Sequence, residues 1–289
     1  MGLKICLQES VHDTEMGADS ELIWDGVRRL AKKVARPDTE VTYRHVERDP
    51  DNPESLNFPW PLNWASLQLL REPAVISGAL WAQEEGFDAV VIACALDPGL
   101  HQARAMLNIP VTSVTESGLL LAQLLGRKLA LVAPSETIID AVEENLHFLG
   151  FEDRAIRHRP VRHFEMIFGL ADAFRGRPER LIEDFEKVAW ELIRDGADVI
   201  VPACGWLGPA LSLNGYVEVR DARVPVVDGT AAALKLAEAL ADLQKSIGLN
   251  KTNLPNSFYQ TPPGEVWDQA RKAYERSANS LARRAITAT

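Results

Sequence analysis

Two cysteines, Cys94 and Cys204, close matching copies of an internal repeat. Gly86-Phe87-Asp88-Ala89-Val90-Val91-Ile92-Ala93-Cys94 aligns with Gly196-Ala197-Asp198-Val199-Ile200-Val201-Pro202-Ala203-Cys204, eight residues from glycine to cysteine in both. Each copy turns at its glycine, runs through an apolar stretch that reads as a buried strand, and ends on the thiol. The punctuation that follows also repeats. Ile109-Pro110-Val111 and Val224-Pro225-Val226 open a further strand, and Thr115-Glu116-Ser117-Gly118 and Gly229-Thr230-Ala231-Ala232 start a helix. The halves have the look of a duplication. In open parallel sheets the ligand crevice lies beyond the carboxyl ends of the strands, where both thiols fall, so two halves packed face to face would oppose the sulfurs.

Opposed thiols suit proton transfer at a carbon beside a carbonyl. One thiolate removes the proton, the other thiol returns one to the opposite face, and the enolate between them needs hydrogen-bond donors. A helix is expected just after each thiol, with Asp97 as N-cap and Pro98 at its first position, and Gly208 and Pro209 mirroring them. Backbone amides at such helix starts lower a thiol pKa and hold an oxyanion. A single cysteine at the end of a buried strand reads as a small hydrophobe. Two at equivalent positions ahead of helix starts read as functional. Cys6, inside the first predicted strand, is assigned to packing.

The elements that must position these thiols alternate strand and helix, which makes the class α/β with parallel sheets. Strands are predicted at 3–7, 41–46, 89–93, 111–114, 129–133, 156–162, 199–203 and 224–227, four per half. Helices are predicted at 21–35, 73–85, 98–107, 116–125, 136–149, 178–194 and 230–247. The chain has 289 residues, 46% hydrophobic and 25% charged, enough for two modest domains. Its net charge of -10 argues against nucleic-acid or anionic-membrane partners. No apolar run is long enough to span a bilayer and the start is too short for a signal peptide, so a cytoplasmic location is expected. The three cysteines fit neither a disulfide framework nor a zinc cluster.

The residues around the first thiol resemble the Asp/Glu/hydantoin racemase superfamily, and within it the hydantoin racemase branch. Cys94-Ala95-Leu96-Asp97-Pro98-Gly99 is similar to that family's cysteine followed by Asp-Pro-Gly, and Ile109-Pro110-Val111 and Pro225-Val226-Val227-Asp228-Gly229 are similar to its later segments. The resemblance covers most of residues 86–240. It implies two pseudosymmetric lobes, each a parallel four-stranded sheet flanked by helices, with the active site between them. Lobe one would comprise residues 1–113 and 227–289 and carry Cys94; lobe two would comprise 114–226 and carry Cys204. Both cysteines would be catalytic, in a cofactor-independent racemase or epimerase acting on a hydantoin-like ring or an amino-acid derivative. Substrate contacts are expected from Gln8, Ser10, Ala95, Leu96, Thr115, Ser135, Gly205 and Trp206. A small-molecule substrate, no metal and a homo-oligomeric assembly complete the expectation.

Two departures bear on the substrate. Where the family has Asn-Pro-Asn, the chain reads Leu7-Gln8-Glu9-Ser10-Val11-His12, and where it has Ala-Gly-Met, the chain reads Gly205-Trp206-Leu207. Trp206 either favours a flat or aromatic substrate by stacking or packs against the neighbouring lobe.

The segment 49–66, with Phe58, Trp60 and Trp64, is long for a connection and reads either as a lid or interface or as a self-packed surface loop. The tail from Asn250 exceeds what the repeat requires, which points to docking or oligomer contact. Dinucleotide, phosphate-loop and nucleophile-elbow signatures are missing from the sequence. The six histidines lack metal-ligand spacing; His12 and His163 remain pocket candidates, and His101 falls near Cys94. Three readings stay open: the two-thiol racemase, a one-thiol decarboxylase or thiol-dependent cis-trans isomerase, and a two-lobed binding protein without turnover.

Overall fold

Short apolar runs bounded by Gly, Pro and Asp form strands, and amphipathic stretches between them form the covering helices. The computed structural model describes residues 2–13, 16–46, 64–266, 268, 269 and 272. Its strands are β1 (Lys4–Gln8), β2 (Glu40–Arg44), β3 (Ala89–Ile92), β4 (Val111–Ser113), β5 (Leu129–Ala133), β6 (Val161–His163), β7 (Val199–Pro202), β8 (Glu218–Val219) and β9 (Val224–Pro225). The α-helices are α1 (Ser20–Val34), α2 (Ala65–Glu84), α3 (Leu100–Met106), α4 (Val114–Leu125), α5 (Ile139–Phe148), α6 (Ile167–Phe174), α7 (Glu179–Arg194), α8 (Leu207–Leu213) and α9 (Gly229–Ile247).

The first sheet has the order β2-β1-β3-β4 and the second β6-β5-β7, both parallel throughout. The second sheet thus has three strands where four were expected. Pro225 has no N–H to donate to a ladder. The 224–227 run instead pairs antiparallel with β8 and meets β7 at a single bridge, Ile200 with Val226. The predicted strand 156–162 shortens to β6, because the chain turns at Arg159 (φ 45°) and Pro160 before pairing resumes. Helix α2 begins well ahead of Pro73 and carries that proline inside it. Helix α6 and the β8–β9 hairpin are too short to show a period in the sequence.

In each sheet the order reverses at one strand: β2 and β3 flank β1, and β6 and β7 flank β5. That reversal opens a crevice at the strand ends. The largest core joins the two sheets, since Leu3, Ile5 and Leu7 of β1 share it with Trp24, Phe185, Trp206 and Leu234. Cys6 faces the other way, among Val75 and Ala79 of α2, and its thiol is pushed up to about 12 by burial, as packing requires.

Helices α4 and α9 start against one another. A Cβ on Gly229 would lie 2.5 Å from the Val114 carbonyl oxygen, so only glycine permits this approach. After α9 the chain folds back over α3, where the Lys251 ammonium donates to the carbonyls of Arg104 (2.8 Å) and Ala105 (2.6 Å) and satisfies the helix end. The tail therefore docks against α3 up to this point; of the polar helix that the sequence predicts from Glu265 to about Ala285, residues 265, 266, 268, 269 and 272 are described and helical, and the rest, like most of segment 49–66, lies outside the described residues. Among the described residues no helix is long and apolar enough to cross a membrane.

Candidate active site

Both crevices open into one cavity of about 210 Å³. Its wall takes Glu9, Ser10 and Val11 from the end of β1, Ala93 to Leu96 from the end of β3, Pro134 and Ser135 from the end of β5, and Ala203 to Trp206 from the end of β7. Cys94 and Cys204 therefore border the same space, each two residues beyond the last residue of a parallel strand, β3 and β7.

The strand ends are pinned alike. Ala93 N–H donates to the Gln8 carbonyl and Ala203 N–H to the Val132 carbonyl, both at 2.8 Å. The next contact repeats too: the Thr115 hydroxyl donates to the Ala95 carbonyl (2.5 Å) and the Thr230 hydroxyl to the Gly205 carbonyl (3.0 Å). Each threonine is the second residue of its helix and clasps the residue after its cysteine. The two segments also touch one another, for a Cβ on Gly205 would lie 2.3 Å from the Ala93 carbonyl oxygen.

Around the sulfurs, the Trp206 N–H donates to Cys204 Sγ at 3.5 Å, and the Leu207 N–H also draws that thiol's pKa down. The Leu96 N–H and the Ser10 hydroxyl do the same for Cys94. Burial outweighs these donors and pushes Cys94 up to about 12 and Cys204 up to about 11, with the Glu9 carboxylate adding to both rises. The lowered thiol pKa expected from the helix starts is thus overturned by desolvation.

The helix starts themselves also differ from expectation. Asp97 does not cap the helix that follows it. It adopts φ 48°, α3 begins only at Leu100 behind Gly99 (φ 69°), and the Asp97 carboxylate accepts from Thr115 N–H (3.1 Å) and Glu116 N–H (3.0 Å) at the start of α4. Asp228 caps α9 from its own N-cap position, accepting from Thr230 N–H (3.0 Å) and Ala231 N–H (3.1 Å). Burial raises Asp97 to about 7 and Asp228 to about 6. In the second half α8 starts at Leu207, so Gly208 and Pro209 sit inside its first turn.

Of the expected substrate contacts, Ser10, Ala95, Leu96, Ser135, Gly205 and Trp206 border the cavity. Gln8 and Thr115 do not: Gln8 is fully buried, donating to the Glu9 carbonyl (2.8 Å) and accepting from Arg44 (2.9 Å), and Thr115 is spent on its clasp. His12, His101 and His163 are likewise absent from the wall; His101 contacts Tyr259 of the folded-back tail. Among the described residues no group of His, Cys, Asp or Glu is arranged to hold a metal ion.

Glu9 is the residue that sequence reasoning passed over. It is 1% exposed and borders the cavity, and its Oε1 accepts from the Tyr43 hydroxyl (2.7 Å) and the Trp206 indole N–H (2.9 Å). Strand parity would have found it: Leu3, Ile5, Leu7 and Glu9 point to one face of β1, and Cys6 and Gln8 to the other. Trp206 satisfies both of its readings, for it borders the cavity and stacks edge-on against Trp24 of α1 at 5.4 Å.

Comparison with known proteins settles the family. Residues 20–237 match the Asp/Glu/hydantoin racemase sequence family. The chain belongs to the Asp/Glu/hydantoin racemase family. It is an isomerase of the racemase class. Curated relatives include a hydantoin racemase of Pseudomonas sp. (strain NS671), 31% identical over 78% of this chain and 84% of that protein, and a hydantoin racemase of Rhizobium meliloti, 28% identical over 69% and 78%. The allantoin racemase of Klebsiella pneumoniae shares the fold, with a TM-score of 0.64 at 22% identity over 91% of this chain and 94% of that one.

Proposed function

We infer that this racemase-family enzyme works without a cofactor, moving a proton between Cys94 and Cys204 across a carbon next to a carbonyl, on a hydantoin-like ring or an amino-acid derivative. The observation that carries the reading is the pair of thiols at equivalent strand ends on one cavity, with the Leu96 N–H directed at Cys94 and the Trp206 and Leu207 N–H groups at Cys204. The lobes of this reading are residues 1–113 with 227–289, and 114–226.

The chemistry follows from these groups. With both thiols held protonated by burial, turnover begins when one of them loses its proton to solvent. That thiolate takes the proton from the substrate carbon and becomes a thiol, electron density moves onto the carbonyl oxygen, and the opposite thiol delivers its own proton to the other face. Product leaves with the charge state of the two sulfurs exchanged. Because the thiolate is the active base and both pKa values lie high, kcat/KM should keep rising with pH to about 10 and beyond. A pH–rate profile of the wild type checks this.

The deciding experiment is deuterium exchange by NMR in heavy water, on separate enantiomers of 5-substituted hydantoins, with wild type, Cys94→Ala and Cys204→Ala. Wild type should exchange and invert the carbon. Each variant should lose inversion by about 10²- to 10⁴-fold, and at most exchange one enantiomer. Inversion surviving in either variant would sink the two-thiol reading, and carbon dioxide release from a malonate without exchange would replace it by a decarboxylase.

The homo-oligomeric assembly belongs to the same proposal. Its support is the apolar residues left exposed on α4 and α9, Leu124, Leu125 and Ile247. Light scattering after size exclusion should return a multiple of the 32.0 kDa chain mass; a monomer refutes it.

A further inference from the structure

The sheet register allows the two halves of the site to be compared position by position. Gln8 pairs with Ile92 and Val132 with Pro202, and Ile92 and Pro202 both lie two residues before a cysteine. Gln8 therefore corresponds to Val132, and Glu9 to Ala133. Some features are matched: the cysteines, the threonine clasps, and the backbone N–H groups at the sulfurs. Others are not. Glu9 faces the cavity, whereas its counterpart Ala133 is buried in the core with Leu131 and Val142 and does not border the cavity, and Trp206 stands where the other half has Leu96. The two unmatched residues are bonded to one another, indole N–H to carboxylate, at 2.9 Å.

A reaction that treats both faces of a carbon alike needs the matched set. Holding a substrate in one orientation, whichever enantiomer it is, needs an unmatched one. Glu9 suits that task. Two donors from opposite halves of the molecule, Tyr43 on β2 and Trp206 before α8, fix its Oε1, and Trp24 packs behind both aromatic rings at 6.2 and 5.4 Å. A carboxylate is an acceptor, so what it offers a ligand is a bond from an N–H. Glu165, at the exposed rim, adds a second negative group, and among the described residues no Lys, Arg or His borders the cavity. An anionic ligand buried there would be set against the like charges of Glu9 and Glu165.

We propose that Glu9, seated by Tyr43 and Trp206, is the specificity-determining acceptor for a ring N–H of a neutral cyclic amide, and that it excludes the ring-opened carboxylate form. This deepens the racemase reading and rests on it for the substrate class.

The test is isothermal titration of wild type and Glu9→Gln, whose side chain has nearly the same shape, with 5-benzylhydantoin, its N1-methyl and N3-methyl derivatives, and N-carbamoyl-phenylalanine. In wild type one of the two methylations should weaken Kd by about tenfold or more, the scale of a charge-assisted hydrogen bond, and the other by less than about threefold. In Glu9→Gln the parent ring should bind about tenfold more weakly, and the methyl penalty should shrink below about threefold. N-carbamoyl-phenylalanine should bind the variant more tightly than wild type. Wild type binding both methyl derivatives as well as the parent overturns the proposal, whether or not the variant folds. So does a methyl penalty that persists in Glu9→Gln, since it would be steric. Turnover is scored separately: a ring that binds with the expected N–H dependence but is not racemised refutes the two-thiol reaction and leaves Glu9 standing.

Discussion

After Cys94 the chain loops through Ala95, Leu96 and Asp97 and reaches α3 only at Leu100, whereas after Cys204 it passes through Gly205 and Trp206 straight into α8 at Leu207. The first path contains a left-handed Asp97, a conformation that costs a non-glycine residue about 1–3 kcal/mol and persists only where its surroundings hold it. Here they do, through the two α4 amides that its carboxylate accepts and Asn145 of α5 nearby at 3.5 Å. The second path contains no such residue and leaves the capping of α9 to Asp228. What the paths share is the strand-end hydrogen bond and the threonine clasp. The comparison teaches that placement of the sulfur and capping of the next helix are separable tasks: the first is done the same way twice, the second in two ways.

The sharpest way to break this comparison is at the residue after each thiol. Gly205→Ala drives a Cβ into the Ala93 main chain, which no flexible side chain can relieve, and should cost about 3 kcal/mol and most of the activity. Ala95→Gly, at the equivalent place, should cost about 1 kcal/mol. Urea denaturation with steady-state kinetics measures both; equal effects would mean that the two segments do not approach as described.

Thr115→Val and Thr230→Val test the shared clasp. Each leaves a carbonyl without its hydroxyl donor and should destabilise by about 1–3 kcal/mol, to a similar extent in the two halves. A cost in only one of them would show that the clasp is local packing in the other.

The pH dependence of the two capping aspartates tests the other half of the comparison, the capping. Both folded-state pKa values, about 7 for Asp97 and about 6 for Asp228, lie above the value of 3.8 for an unperturbed carboxyl, so the folded protein binds protons that the unfolded chain releases. Their contribution is complete below pH 3.8 and is lost as pH rises through 6 for Asp228 and 7 for Asp97. Thermal unfolding against pH should therefore show a decline that Asp97→Asn flattens at its upper end and Asp228→Asn at its lower end. A wild-type Tm that rises across this range contradicts the assignment.

Much of this site was legible in the sequence because it is duplicated. The glycine-to-cysteine spacing marked both thiols and the strands β3 and β7 at once, and the apolar runs were long enough to place all four strands of the first sheet. The second sheet was harder to read, since a strand containing Pro225 reads as β in composition while lacking the donor that would carry it into the ladder. Asp97 was legible as a cap but not as a cap for a helix further along the chain, because the fold brings α4 to it. Glu9 went unnoticed between Gln8 and Ser10, although the alternation of β1 aims Glu9 at the cavity and turns Gln8 toward Arg44.

The repeat lies within one polypeptide, and that has an evolutionary consequence. Two identical chains meeting about a two-fold axis present the same residue on both sides of the axis, so any change on one wall is imposed on the other. Joining the copies in one chain lifts that constraint. Each copy can then differ alone, and here the first half carries Glu9 where the second has Ala133, while the second carries Trp206 where the first has Leu96. Within one chain the two halves of the cavity are therefore free to keep matched cysteines and clasps beside unmatched neighbours.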